Sequence, residues 1–504
     1  MNQISQKAYD DFGKKVFRDI DKHNSRLWDR VREDTMLKTF RLAARSVPAY
    51  RDFLKRNKIS VEGIRTFSDF QNVPPIDKKN YLNKYEIEKL VWPNSFSKTV
   101  VFTSTSGSTG KPTYFPREYS LDWQSSIVHE LFLRQTVKKG PTLVIVGFGT
   151  GVWIAGLITY RAFEISGFRG RYPVSIITPG INKIEIMSAL KKLSPHFAQT
   201  VLIGYPPFIK DVIDDAPNEG ISLSELNLKV IFAAEAFTEK FRDHIARAAR
   251  LDNPHLDSMN IYGSADLGTM AFETPFAILV RRLATKKGKI FKNIFSQINK
   301  TPTLANYIPH FINFEAPHGQ ILVTGNNTIP LIRYAIGDVG GVYSSGEIRQ
   351  KLLEDDVKLD DEIRAKKIEN FVYDLPFVYI YERADMATTL YGLQIYPEIV
   401  REAIFDSILN RYLTGKLTLI TKFDRNHNQY LEINLEMKKN RKHNTALKNH
   451  ATKTIVRHLQ LKSSEFRELS RHVGKRATPK VIFWPTEHPE YFKPGTKQKW
   501  VKRR

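Results

Sequence analysis

The chain has 504 residues, 41% hydrophobic and 12% aromatic, enough to bury a substantial interior and too many for one compact core. It has no cysteine, which excludes disulfides, thiolate metal sites and a cysteine nucleophile and fits a reducing, cytoplasmic setting. Its 77 Lys and Arg against 53 Asp and Glu give a formal charge of +24, which suits polyanions such as nucleotide phosphates, nucleic acid or an anionic membrane face and says nothing about fold.

Residues 1–60 read as helical, because Val16, Ile20, Leu27 and Val31 recur near helical spacing among charges. The first stretch, MNQISQKAYDDFGKK, has no apolar core of the signal-peptide kind. This lead-in runs to about residue 75, where Val73-Pro74-Pro75 interrupts it. From about 99 to 265 strands and helices alternate. Thr99–Thr103, Val144–Val146, Thr200–Ile203, Val230–Ala233 and Ser258–Tyr262 read as strands. Ile184–Leu193 reads as a helix, and Thr238 caps another whose Phe241, Ile245 and Ala248 share a face. This alternation predicts an α/β fold with a mostly parallel, helix-covered sheet.

The uncharged stretch Pro141–Tyr160 is long enough to cross a bilayer, but Gly147, Gly149, Gly151 and Gly156 break it. It reads as a buried strand, a turn and a packed helix. In 276–300, Arg281, Arg282, Lys286, Lys287, Lys289 and Lys292 interleave with Ile290, Phe291, Ile294, Phe295 and Ile298. Such a basic amphipathic helix could meet a membrane; it is expected instead to pack on its own domain. Residues 317–343 read as strands with turns. The expected division is a large unit, 1–382, and a small α/β unit, 383–504, with a basic tail.

Five motifs carry chemistry. Thr105, Ser106, Gly107, Ser108, Thr109, Gly110 and Lys111 follow a predicted strand and form a hydroxyl- and glycine-rich loop around one lysine. Glycines let backbone N–H groups approach a phosphate, hydroxyls donate, and the lysine adds a point charge. Pro112 stands where a Walker A loop needs Ser or Thr. In Ile261-Tyr262-Gly263-Ser264-Ala265-Asp266 a strand ends beside an aromatic that can stack on a base and a carboxylate that can hold Mg²⁺. Gly337-Asp338 ends another strand and can offer a carboxylate to paired ribose hydroxyls. The fourth motif is Glu382-Arg383-Ala384-Asp385-Met386 with Gly392 beyond it; the fifth is the tail from Lys493 to Arg504.

The order and spacing of these motifs resemble the adenylate-forming superfamily of acyl-CoA synthetases, luciferases and peptide-synthetase adenylation domains. Ser46-Val-Pro-Ala-Tyr-Arg51 and Val73-Pro-Pro-Ile-Asp-Lys78 are similar to landmarks of its phenylacetate–CoA ligase-like branch, so the resemblance spans nearly the whole chain. It implies a large N-terminal and a small mobile C-terminal domain, and ATP-dependent formation of an acyl- or aryl-adenylate. Transfer to coenzyme A would follow, or to an amine or a separate carrier protein.

By the same resemblance, residues 105–111 embrace the ATP phosphates, with Thr109 among the catalytic groups. Ala234, Glu235, Ala236, Tyr262, Gly263 and Ser264 flank the nucleotide, Asp266 holds Mg²⁺, Asp338 binds the ribose and Arg383 supports the nucleotide. Asp385 is the hinge, Gly392 lies where a pantetheine arm enters, and Lys497 or Lys499 contacts the carboxylate and α-phosphate. Lys497 is preferred because it follows the Pro-Gly-Thr turn. Phe148, Trp153, Tyr205 and Phe232 fall near the implied acyl pocket and suggest an aromatic or apolar acid. The family usually has Glu where Asp266 stands and a second acid where Met386 stands. A hydrolase is disfavoured by the lack of G-x-S-x-G and H-E-x-x-H motifs. A nucleic-acid binder rests on charge alone.

Overall fold

The computed structural model describes residues 6–22, 24–104, 113–137, 139–295, 301–381, 388–492 and 501. The lead-in is helical as expected. In helix Ser25–Ser46 the Asn24 side chain caps the Leu27 N–H, and Pro48 opens the next helix, Pro48–Arg56, where its missing N–H is no loss.

The strands in chain order begin with a hairpin, β1 (Val101–Ser104) and β2 (Tyr114–Arg117). Next come β3 (Thr142–Gly147), β4 (Val174–Ile177), β5 (Gln199–Gly204), β6 (Leu228–Ala233), β7 (Ser258–Ser264) and β8 (Gly268–Phe272). After these are β9 (Thr303–Asn306), β10 (Ile312–Glu315), β11 (Gln320–Asn326), β12 (Pro330–Tyr343) and β13 (Phe377–Tyr381).

From β3 to β13 the chain makes one 11-stranded sheet, ordered β10-β11-β12-β13-β9-β8-β7-β6-β5-β3-β4. The alternating section folds as predicted: β4, β3, β5, β6 and β7 pair in parallel. Every residue of β3 and of β5 is buried, which is why these strands read as continuous apolar runs rather than alternating ones. The sheet then continues antiparallel from β7 through β8, β9, β13, β12 and β11 to β10.

Pro141–Tyr160 becomes β3, a turn and the start of helix Ile154–Phe168. Among the described residues no helix is long and apolar enough to cross a membrane. The basic stretch forms two helices, Pro275–Lys286 and Gly288–Ile294, which break at Lys287. Phe276, Leu279, Leu283, Ile290 and Ile294 pack with Ile348, Phe377 and Tyr379 into a second apolar cluster, so this stretch packs on its own domain, as expected. Arg281 is buried there rather than on the solvent face.

Beyond residue 388 lie a short hairpin, β14 (Thr388–Leu390) with β15 (Leu393–Ile395), and a three-stranded sheet of β16 (Leu413–Phe423), β17 (Gln429–Met437) and β18 (Lys480–Trp484). Helices Pro397–Ile404, Thr445–Lys462 and Ser464–Val473 accompany this sheet, the last two capped by the Asn444 and Ser463 side chains.

Candidate active site

Two of the predicted motifs, at the end of β7 and on β12, meet through their side chains, although β8, β9 and β13 lie between these strands in the sheet. Gly263 allows the tight turn from β7 into β8, since a Cβ there would lie 2.7 Å from the Gly268 carbonyl oxygen. The Ser264 hydroxyl accepts from the Leu267 N–H at 3.2 Å and shapes the turn that carries Asp266. On β12, Gly337 takes a positive φ of 93° and turns Asp338 out of the regular ladder. The Tyr262 phenol donates a close hydrogen bond to Asp338. The Tyr334 phenol donates to Asp266 Oδ2 at 2.6 Å.

Lys78, which sequence reading left without a role, reaches Asp266 Oδ1 at 3.5 Å. It arrives there because the Ala335 N–H bonds the Ile76 carbonyl at 2.8 Å. Its signal was present in the Val73–Lys78 landmark. Tyr334 lay inside the strand motif that runs from Pro330 to Asp338, without a role of its own. Among the described residues no cluster of three or more His, Cys, Asp or Glu could hold a metal. Asp266 alone offers one carboxylate, which suits a Mg²⁺ that takes its other ligands from phosphates and water.

Residues 105–111, with Arg383, Asp385, Lys497 and Lys499, lie outside the described residues. The strands flanking the loop are paired, Ser104 opposite Tyr114, and the Ser104 N–H donates to the Val152 carbonyl at 3.0 Å.

The Ala233–Phe237 turn follows β6, with Ala234 at a φ of +71°, a strained value for a residue with a Cβ. The buried Glu235 side chain turns away to the C-terminal part. It accepts from the Gly392 N–H and, at 2.8 Å, from Gln429 Nε2. Gly392, at a φ of +79°, lies so close to Tyr205 that a Cβ would fall 2.1 Å from its ring. The Tyr391 hydroxyl donates to Asp211 at 2.9 Å, Arg476 pairs with the other oxygen of Asp211 at 2.5 Å, and Lys210 donates to Asn428 at 2.9 Å.

Of the four aromatic residues, Phe148 and Tyr205 form an edge-on pair with ring centres 5.0 Å apart. Phe232 is fully buried against Phe237 and Phe241, and Trp153 is half-buried over Gly149. Burial, with Glu465 and Glu235 nearby, pushes the Tyr205 phenol up.

Burial also pushes the half-buried Glu465 carboxyl up to about 7 from 4.5. A raised carboxyl pKa favours the folded chain while protonated, so this contribution is full below 4.5 and is lost as pH rises to 7. Glu465→Gln should therefore flatten the fall in stability across that window in urea titrations. An unchanged profile would contradict the assignment.

Behind the Ala233–Phe237 turn lies a buried ionic network. Arg242 bridges Glu239 at 2.9 Å, Ser258 at 2.8 Å and both oxygens of Glu273 at 2.8 and 2.7 Å. Glu273 also accepts the Asn260 N–H at 2.9 Å, and Arg281 donates to the Phe237 carbonyl and to Glu239. Burial pushes the Glu239 carboxyl up, but Arg242, Arg281 and Arg282 more than offset this and hold it below the usual range. The network ties the turn to the sheet.

No protein-family profile and no curated protein sequence matches the chain. Among solved structures, 2-hydroxyisobutyryl-CoA ligase with 2-HIB-AMP and CoA in its thioesterification state superposes with a TM-score of 0.59 at 16% identity, over 94% of this chain and 89% of that one. The chain has the fold of the adenylate-forming ligases. The open conformation of the same ligase gives a TM-score of 0.51 at 14% identity, over 93% and 91% of the two chains. o-Succinylbenzoate CoA synthetase from Bacillus subtilis gives 0.45 at 10% identity, over 79% and 67%.

Proposed function

We propose that the chain activates a carboxylic acid with ATP. The acid's oxygen attacks the α-phosphorus, the bond to the β-phosphate oxygen breaks, and acyl-AMP and pyrophosphate result. A thiol, taken to be that of coenzyme A as in the phenylacetate–CoA ligase-like branch, then attacks the acyl carbon. It loses its proton, and AMP leaves. The observation that carries this reading is the joining of two separate sequence motifs by two side-chain pairs, Tyr262 with Asp338 and Tyr334 with Asp266. Asp338 would accept from the ribose hydroxyls, Tyr262 would line the adenine, and residues 105–111 would donate to the phosphates.

Asp266 would hold a Mg²⁺, which would supply positive charge against the phosphates. Lys78, beside Asp266, adds a further positive charge at that point. Phe148 and Tyr205 would line the acid's pocket, which favours an aromatic or apolar acid. Rotation of the 383–504 unit about Asp385 would break the Glu235–Gly392 and Asp211–Tyr391 hydrogen bonds and exchange Lys497 for the acceptor's entry path.

Pyrophosphate release over a panel of aromatic, fatty and amino acids, with and without coenzyme A, tests the reaction. No release with any acid would overturn it. Asp338→Ala should raise the KM for ATP about tenfold or more, the loss of a charged hydrogen-bond acceptor, with little change in the KM for the acid. An unchanged ATP dependence would remove the ribose assignment.

A further inference from the structure

The chain's positive charge is unevenly placed. Residues 438–480 hold thirteen Lys and Arg against two Asp and Glu, +11 of the chain's +24. They form the loop after β17, helices Thr445–Lys462 and Ser464–Val473, and the approach to β18. Helix Thr445–Lys462 buries Leu447, Ala451, Ile455 and Leu459. Lys453 and Arg457 each stand two residues from two of these, about 200° round the helix, and are exposed. Arg467 Nε donates to the Gln460 carbonyl at 2.7 Å, which sets Arg467 at the C-terminal end of this helix, about one turn beyond Arg457. The row runs on to the exposed Arg471, one turn further along Ser464–Val473.

Neighbouring acids do little to neutralise this row. Among the described residues Lys453 and Arg457 have no carboxylate partner, and neither do the exposed Lys439 and Lys442 on the loop. Arg471 pairs with Glu468 at 3.5 Å, but His472 shares that acid at 2.8 Å. The other acid, half-buried Glu465, has its carboxyl pushed up to about 7 by burial, so it is only partly charged at neutral pH.

What the row lacks selects its partner. Of the large apolar side chains on the two helices only Leu461 is exposed. A helix that lies on a membrane needs an apolar face to insert, and a protein interface needs an apolar centre; here the apolar faces are turned inward. The helices carry no Tyr or Trp, and their one Phe, Phe466, is buried, so no such ring is offered to a splayed base. The backbone of a duplex asks only for cations along a line, and releases counterions on meeting them. We propose that this row docks on the phosphate backbone of a nucleic-acid duplex without reading its sequence. The surface is separate from the candidate reaction centre and does not depend on the adenylate-forming reading.

Fluorescence anisotropy of labelled DNA and RNA duplexes of about 20 base pairs, titrated with the full chain between about 50 and 200 mM salt, tests it. Binding should be micromolar or tighter at the low-salt end and alike for unrelated sequences, with log K falling by about 3 to 4 per decade of salt. Lys453→Gln combined with Arg457→Gln should make that slope about 2 shallower and weaken binding about tenfold or more near 0.1 M salt. Lys191→Gln combined with Lys192→Gln removes the same charge from the exposed end of helix Lys183–Lys192 and should leave the slope as it is. All four positions are exposed, so both double variants should fold, which circular dichroism checks. No binding at low salt, an equal loss in both double variants, or tighter binding to phosphatidylserine vesicles or to polyglutamate would overturn the proposal.

Discussion

Replacing Lys497 by alanine is expected to lower acyl-adenylate formation by about two to three powers of ten, the range seen when one oriented charge-stabilising donor is lost. The carboxylate and the α-phosphate are both anionic, so the barrier is largely their repulsion. A cation between them acts most strongly where charge develops on the bridging oxygens. Its removal should leave transfer from a pre-made acyl-AMP to the acceptor near the wild-type rate, because the mixed anhydride already exists. Measuring the half-reactions separately, by pyrophosphate release and by thioester formation from synthetic acyl-AMP, checks this. Equal loss in both would contradict the role. Lys499→Ala is the control, and a larger loss there would move the assignment to Lys499.

Arg242→Ala should destabilise the fold by about 3–5 kcal/mol, because removing one partner of a buried ion pair leaves the others uncompensated. Arg242 is fully buried, and its loss strands Glu239 and Glu273 together in the interior. Arg281 and Arg282 would still reach Glu239. Glu273 would keep the Asn260 N–H and only a long contact of 3.8 Å with Arg281. The damage should therefore centre on Glu273 and on the join of the Ala233–Phe237 turn to β7. Arg242→Lys should recover little, since an ammonium cannot reproduce the fork that holds Glu239, Glu273 and Ser258 at once. Urea unfolding of both variants measures this. A change below about 1 kcal/mol, the worth of a surface pair, would show that the network is not buried as described.

Much of the architecture was legible because its signals are local. β3, β5 and β6 announce themselves as short apolar β-branched runs, and Thr238 announces a helix by capping the Phe241 N–H. The Gly337-Asp338 and Gly263-Ser264 turns were visible for the same reason: a positive φ or a close backbone approach selects glycine. The break at Lys287 was not visible. The apolar and basic pattern runs on through it, although Gly288 stands at the break, and both short helices pack into the cluster with Ile348 and Tyr379.

The chain's own order of residues was enough to determine an α/β fold with a parallel run from β3 to β7 and the places of the glycine turns proposed to bind the nucleotide. Period, capping and glycine turns act within a few residues, so they can be read along a string. Folding in three dimensions decided the partners. Lys78 and Tyr334 share Asp266, Tyr262 meets Asp338 across 76 residues, and Glu235 turns from its own motif to Gly392, 157 residues away. A side chain's partner is set by which buried groups are left unsatisfied when distant segments pack, and no local pattern records that.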